Sequence, residues 1–149
     1  MCATVAGMEN AAAQPACPPP LVVVDGANVV GSVPDGWWRD RAAANARLRD
    51  ELAGLPARGL PDRENVPGWA VGTPVEVVLV VEGAARGVAG VPGVRVSAAP
   101  GEGDDHIVEV VAGREPGRRC LVVTADRLLR TRVRALGAET CGPRAVRRG

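Results

Sequence analysis

The stretch LVVVDGANVV, residues 21–30, decides the reading of the fold. Leu21 to Val24 is apolar without alternation, which marks a strand buried on both faces, and it ends in an acid, Asp25. Gly26 to Gly36 then reads as a loop. Further along, VEVVLVV over 75–81 repeats the form and is followed by Glu82, and CLVVT over 120–124 is followed by Asp126. VRVSA over 94–98 is a shorter strand, and Glu139 to Cys141 a short fifth. Helical patterns separate them. Trp37 to about Leu55 places Leu48, Leu52 and Leu55 on one face, and Asp104 to about Ala112 forms the next helix. Asp126 to Leu136 is the last, with Leu129, Val133 and Leu136 facing the core and Gly137 as C-cap. Strands alternating with helices predict an α/β fold, a parallel sheet with helices on both faces.

With 149 residues, one domain is the default, and 46% hydrophobic with 23% charged residues excludes disordered, collagen-like and coiled-coil chains. The longest aliphatic run, Val77 to Val81, is far short of the roughly 20 residues of a membrane span, so no membrane partner is expected. Residues 1–20 read as a disordered tail ending in three prolines, with Glu9 where a signal peptide needs an apolar run, and the domain fills 21–149. Within it, Pro56, Pro61, Pro67 and Pro74 interrupt a Pro/Gly-rich stretch over about 56–74, either a mobile loop over the site or a disordered insertion; its composition favours the second. Cys2, Cys17, Cys120 and Cys141 form no CxxC pair and fit reduced thiols in a cytoplasmic protein.

All basic residues are Arg, and they are unevenly placed: residues 1–113 carry 8 Arg against 14 acids, and residues 114–149 carry 10 Arg against 3. An acidic body with a basic end suits a metal-bearing site beside a polyanion-binding surface; random surface charge produces the same totals. The acids are more telling in their positions. Asp25 and Glu82 end strands, Asp104 and Asp105 open the helix after the third strand, and Asp126 follows the fourth. In a parallel sheet the carboxyl ends of the strands share one edge, so these acids meet in space. Carboxylates so placed repel one another unless a cation compensates, and without His or thiolate partners that cation is hard and oxygen-preferring, Mg²⁺ or Mn²⁺. Such an ion equips a site for phosphodiester hydrolysis. The competing reading is that Asp104 and Asp126 are helix N-caps.

The segments LVVVDGANVVGSVPDGWWRDRAAANARLRDEL, VEVVLVVEG, APGEGDDHIVEVV and CLVVTADRLLRTRVRALGAE together resemble the NYN (YacP-like) branch of the PIN-like metal-dependent ribonucleases, over about Leu21 to Pro143. The resemblance implies a three-layer PIN-like fold, a five-stranded, mostly parallel sheet in the order 3-2-1-4-5, and Mg²⁺- or Mn²⁺-dependent cleavage of RNA, single-stranded or structured. It implies Asp25 as central ligand with Asn28 beside it, Asp104 and Asp105 as the acidic helix start, and Asp126 as the last acid, with Thr124 as the small hydroxyl of that element. Glu102 resembles the paired acid of related 5′-nucleases, and position 82 is Glu where many relatives carry Asp.

Other residues acquire roles from the strand polarity. Arg41, on the face of Leu48, could clamp a phosphate or pair with Asp25, or else form a structural ion pair with an acid such as Asp40, itself a possible extra acid of the site. Arg127, Arg130 and Arg134 line one face of the last helix, as an RNA-binding stripe or as a solvated helix face. The chain has 3 Trp and no Phe or Tyr, which argues against a stacking platform of the RRM or OB type. His106 invites a general acid/base role but better fits a helix residue facing solvent or a neighbouring carboxylate, and neither a P-loop nor GxGxxG is present. The sequence thus predicts a metal-dependent ribonuclease. A non-catalytic RNA-binding module and a phosphohydrolase acting on nucleotides are the alternatives; an oligomer is possible and not readable.

Overall fold

The computed structural model describes residues 18–147. Strands β1 (Leu21–Asp25), β2 (Glu76–Val81), β3 (Val94–Ala98), β4 (Cys120–Val123) and β5 (Glu139–Cys141) form one sheet in the order β3-β2-β1-β4-β5. Every pairing is parallel, as expected. Register places Asp25 beside Val80 and Val24 beside Val123, so the carboxyl ends of the three central strands lie on one edge.

Alternation of side chains between two buried faces explains why the strand sequences are apolar without a break. Val22, Val24, Val77, Leu79, Leu121 and Val123 pack on one side, against α2 (Arg41–Leu52) and its neighbours, including the fully buried Leu48 and Leu52. Leu21, Val23, Val78, Val80 and Val122 pack on the other, against Ile107 and Val111 of α4 (Gly103–Ala112) and Leu129 and Val133 of α5 (Arg127–Arg134). The result is three layers. Among the described residues, no helix is long and apolar enough to cross a membrane.

Local details depart from the sequence reading. The first part of the expected loop is a short helix, α1 (Gly26–Val30), started by Asp25, whose carboxylate accepts the Asn28 N–H. The long helix expected from Trp37 is broken: Trp37–Arg39 is one 3₁₀ turn, and α2 begins only where the Asp40 carboxylate accepts the Ala43 N–H at 3.0 Å. Asp40 is therefore a cap rather than a partner for Arg41. Leu55 is buried as expected but opens a separate helix, α3 (Leu55–Arg58). At the other end, α5 stops at Arg134, and Gly137 adopts φ 88°. The N–H groups of Gly137 and Ala138 return to the carbonyls of Arg134 and Val133, a turn that swings Leu136 off the core face and leaves it 38% exposed.

The Pro/Gly-rich stretch is corrected most. It carries no sheet strand, yet Leu60 and Ala70 are buried in the core, and the Leu60 N–H donates to Ala70 while Gly72 donates to Leu60. Trp69 Nε1 donates to Glu139 at 2.7 Å and fastens the stretch to β5. The expected N-terminal tail, up to residue 17 and with Cys2 and Cys17, lies outside the described residues.

Candidate functional site

Asp25 is the centre of the acidic edge. It ends a fully buried strand and is itself only 5% exposed. Its Oδ2 accepts the Thr124 hydroxyl at 2.8 Å, and its Oδ1 the Asn28 N–H at 3.4 Å. Thr124, also fully buried, accepts the Asp126 N–H at 3.1 Å, while Asn28 Oδ1 accepts the Ala125 N–H at 2.8 Å. These bonds stitch the turn after β1 to the turn after β4 and fix the orientation of the carboxylate. Burial pushes the Asp25 carboxyl up to about 6; the Thr124 and Asn28 hydrogen bonds oppose the rise, and the negative charges of Asp104 and Glu82 add to it.

Asp104 lies in the first turn of α4 and is half-buried. Its pKa is raised first by burial, then by the charges of Asp126 and Glu82, with Arg132 opposing and Glu102 adding. It is not a cap: Glu102 holds that position, and makes no side-chain capping bond. Asp126 does cap α5, accepting the Leu129 N–H at 3.0 Å. The competing capping reading therefore holds for Asp126 and fails for Asp104. Glu82 Oε1 accepts the Gly103 N–H at 2.9 Å and pins the start of α4 to the end of β2. A Cβ at Gly103 would run into the Glu82 carboxylate, so a larger residue there would have to push that carboxylate aside.

Asp25 thus feels the charges of Asp104 and Glu82, and Asp104 those of Asp126, Glu82 and Glu102, across segments far apart in sequence. Asp105 stands apart from them. Its carboxylate is 66% exposed and pairs with Arg132 at 3.0 Å. As donors, the converging groups suit a hard cation: they are all carboxylates, with the hydroxyl of Thr124 and the amide of Asn28 behind them. One oxygen each of Glu82 and Asp126 is engaged by a backbone N–H. As the side chains stand, no group of three or more His, Cys, Asp or Glu among the described residues closes around an ion. The donor set matches a divalent cation in kind only; as these side chains stand, the acids do not come together closely enough to hold one.

The arginines divide differently from the sequence reading. Arg41 heads α2 and stacks over Trp37 at 5.2 Å. Arg127 is exposed, but Arg130 is half-buried and donates Nε to the Thr124 carbonyl at 2.8 Å, and Arg134 donates to the Thr140 hydroxyl at 2.7 Å. The expected continuous stripe is therefore interrupted, and Arg130 instead braces the turn that carries Thr124. His106 Nε2 lies 2.7 Å from Ser97 Oγ, and so ties α4 to β3. Sequence reasoning missed Asn45, which is 4% exposed and lies so close to Gly26 that a Cβ there would sit 2.6 Å from its Oδ1. A lone Asn in an Ala/Arg helix carried no signal.

No family model matches the chain, and no curated protein matches it. Among solved structures it is similar to Rae1 (YacP) from Bacillus subtilis, crystallised as a mutant, with a TM-score of 0.63 and 18% identity over 85% of this chain and 72% of that one. At this identity the likeness is one of fold. The parallel five-stranded α/β architecture is a YacP-like one.

Proposed function

We propose that this protein is a divalent-metal-dependent ribonuclease that hydrolyses phosphodiester bonds of RNA at the acidic edge of its sheet. The observation that carries the reading is the buried Asp25 at the end of the central strand, held by Thr124 and Asn28 and within electrostatic reach of Asp104 and Glu82 from two other segments, with Asp126 and Glu102 acting in turn on Asp104. A core that brings like charges together at the end of its central strand sacrifices stability, and such an arrangement is characteristic of sites that work with a counter-charge. The resemblance of the DGANV, GDD and TAD elements to NYN (YacP-like) ribonucleases and the YacP-like fold point the same way.

Asp25, Asp104 and Asp126 would hold the ion, with Glu82 and Glu102 supporting it directly or through water. A divalent cation bound there supplies Lewis acidity towards a phosphate oxygen and acidifies a water. The remaining work belongs to the chain. Thr124 and Asn28 hold the Asp25 carboxylate in one orientation, so that its charge is in place before substrate arrives. Asp104 has no hydrogen bond to a described residue, which leaves its carboxylate free for an ion or a water. Arg41 supplies a guanidinium for the phosphate backbone.

A second reading, an RNA-binding module without cleavage, draws on the acids not closing around an ion as they stand and on the backbone N–H groups that engage Glu82 and Asp126. Labelled single-stranded RNA, incubated with Mn²⁺ or with EDTA beside Asp25→Asn, separates the two. Cutting that needs both metal and Asp25 is the expected result; binding without cutting supports the module, and turnover of free nucleotides alone supports a small-molecule phosphohydrolase.

A further inference from the structure

Residues 37–41, WWRDR, build a ladder of stacked groups beside the acidic edge. Arg41 lies over the Trp37 ring at 5.2 Å, Trp37 and Trp38 meet edge to face at 5.9 Å and 88°, and Arg39 lies over Trp38 at 5.8 Å. Trp37 and Arg41 share a narrow cleft with Ala27, in the helix α1 that Asp25 starts, and with Glu82. Asn45 lines the same cleft, and its buried Oδ1 has no hydrogen-bond partner among the described residues.

Three features set this ladder apart from an ordinary structural stack. Trp37 packs against the core, whereas Trp38 leaves 51% of its surface in water. Neither the Arg39 nor the Arg41 guanidinium makes a hydrogen bond or ion pair with a described residue, while Arg118 and Arg147 elsewhere are each tied to carboxylates and carbonyls. Stacking on indole holds each planar fork in place and leaves its N–H donors uncommitted. Asp40, the acid between them in sequence, is occupied as the cap of α2.

We infer that the ladder is a binding platform for unpaired nucleotides of an RNA strand next to the acidic site, with a base stacked on Trp38 and the adjoining phosphates on Arg39 and Arg41. The inference rests on the RNA-cleaving reading and narrows its substrate to strands whose bases are free. A duplex hides the faces of its bases, so an exposed indole gains nothing from it; an unpaired base offers its whole face. Arginine donors on either side of the indoles match the negative charges that flank every base. Asn45 adds a carbonyl acceptor without a partner among the described residues in the cleft of Trp37 and Arg41, at the inner end of the ladder.

The test is RNA binding in EDTA, read by fluorescence anisotropy with a labelled single strand, a duplex of equal length and a strand with abasic positions. Trp38→Ala is expected to weaken single-strand binding roughly five- to a hundredfold, with Trp38→Phe close to the unmutated protein, and to lower duplex and abasic affinity far less, by no more than the loosened Arg39 contributes. Equal single-strand affinity of Trp38→Ala and the unmutated protein, or an equal loss on the abasic strand, overturns the inference while the ribonuclease reading stands. An unmutated protein that binds no RNA, with or without Mg²⁺, removes both. Folding of the variants is not at issue, because Trp38 is half in solvent.

Discussion

Asp25 couples stability to chemistry at a single residue. Its folded carboxyl titrates at about 6, against roughly 4 for an unfolded chain, because the fold withdraws it from water. The folded state therefore holds this proton more tightly than the unfolded state does. Stability from this group declines as pH rises through the window from about 4 to about 6, and stays reduced above it. Asp25→Asn removes the penalty. In metal-free buffer it is expected to stabilise the protein by up to about 3 kcal/mol at neutral pH and by almost nothing at pH near 4, as chemical denaturation at both pH values would reveal. A gain that did not vary with pH would mean that the carboxylate is not strained by burial. The identity of this residue was legible from sequence, since an acid directly after a run of buried valines has no core role. The resemblance singled out Thr124 as a small hydroxyl, but its bond to Asp25 was not legible, because the hydroxyl arrives from just beyond β4, 99 residues away.

Among the elements, α5 shows how capping and charge can be separated. Asp126 both starts the helix and adds negative charge at Asp104. Asn caps as well as Asp, so Asp126→Asn is expected to keep thermal stability within about 0.5 kcal/mol while abolishing metal-dependent cleavage, whereas Asp126→Ala loses the cap and about 1 kcal/mol as well. Matched activity of Asp126→Asn and the unmutated protein would reduce this acid to a structural part. The stretch over 56–74 makes a different point. Leu60 is 2% exposed, so Leu60→Ala is expected to cost about 2–5 kcal/mol in an unfolding titration; a cost near zero would mean that the stretch does not belong to the core. Its prolines read as irregular, yet Pro56 sits in the first turn of α3, and the irregular backbone around the others is not loose backbone. What secures it, the Trp69 bond to Glu139 and the burial of Leu60 and Ala70, comes from partners far off in the chain and leaves no local pattern. The strands were legible for the opposite reason, since a segment buried on both faces has to be apolar throughout. The early stop of α5 depends on a turn at Gly137 that periodicity extends through.

For the whole molecule, the parallel order β3-β2-β1-β4-β5 turns acids scattered along the chain into neighbours, which no local segment could do. The same topology sets the Trp37 to Arg41 ladder beside Glu82, an arrangement that a count of aromatics could not foresee. If the edge is a cation site, the ion competes with the proton on Asp25, and metal affinity follows pH. The most direct measurement is a calorimetric titration of the metal-free protein with Mn²⁺ above and below pH 6, beside Asp104→Asn. The account predicts saturable binding that strengthens as pH rises through about 6 and is lost or severely weakened in Asp104→Asn. An isotherm indifferent to Asp104, or no binding up to roughly millimolar metal, would contradict it.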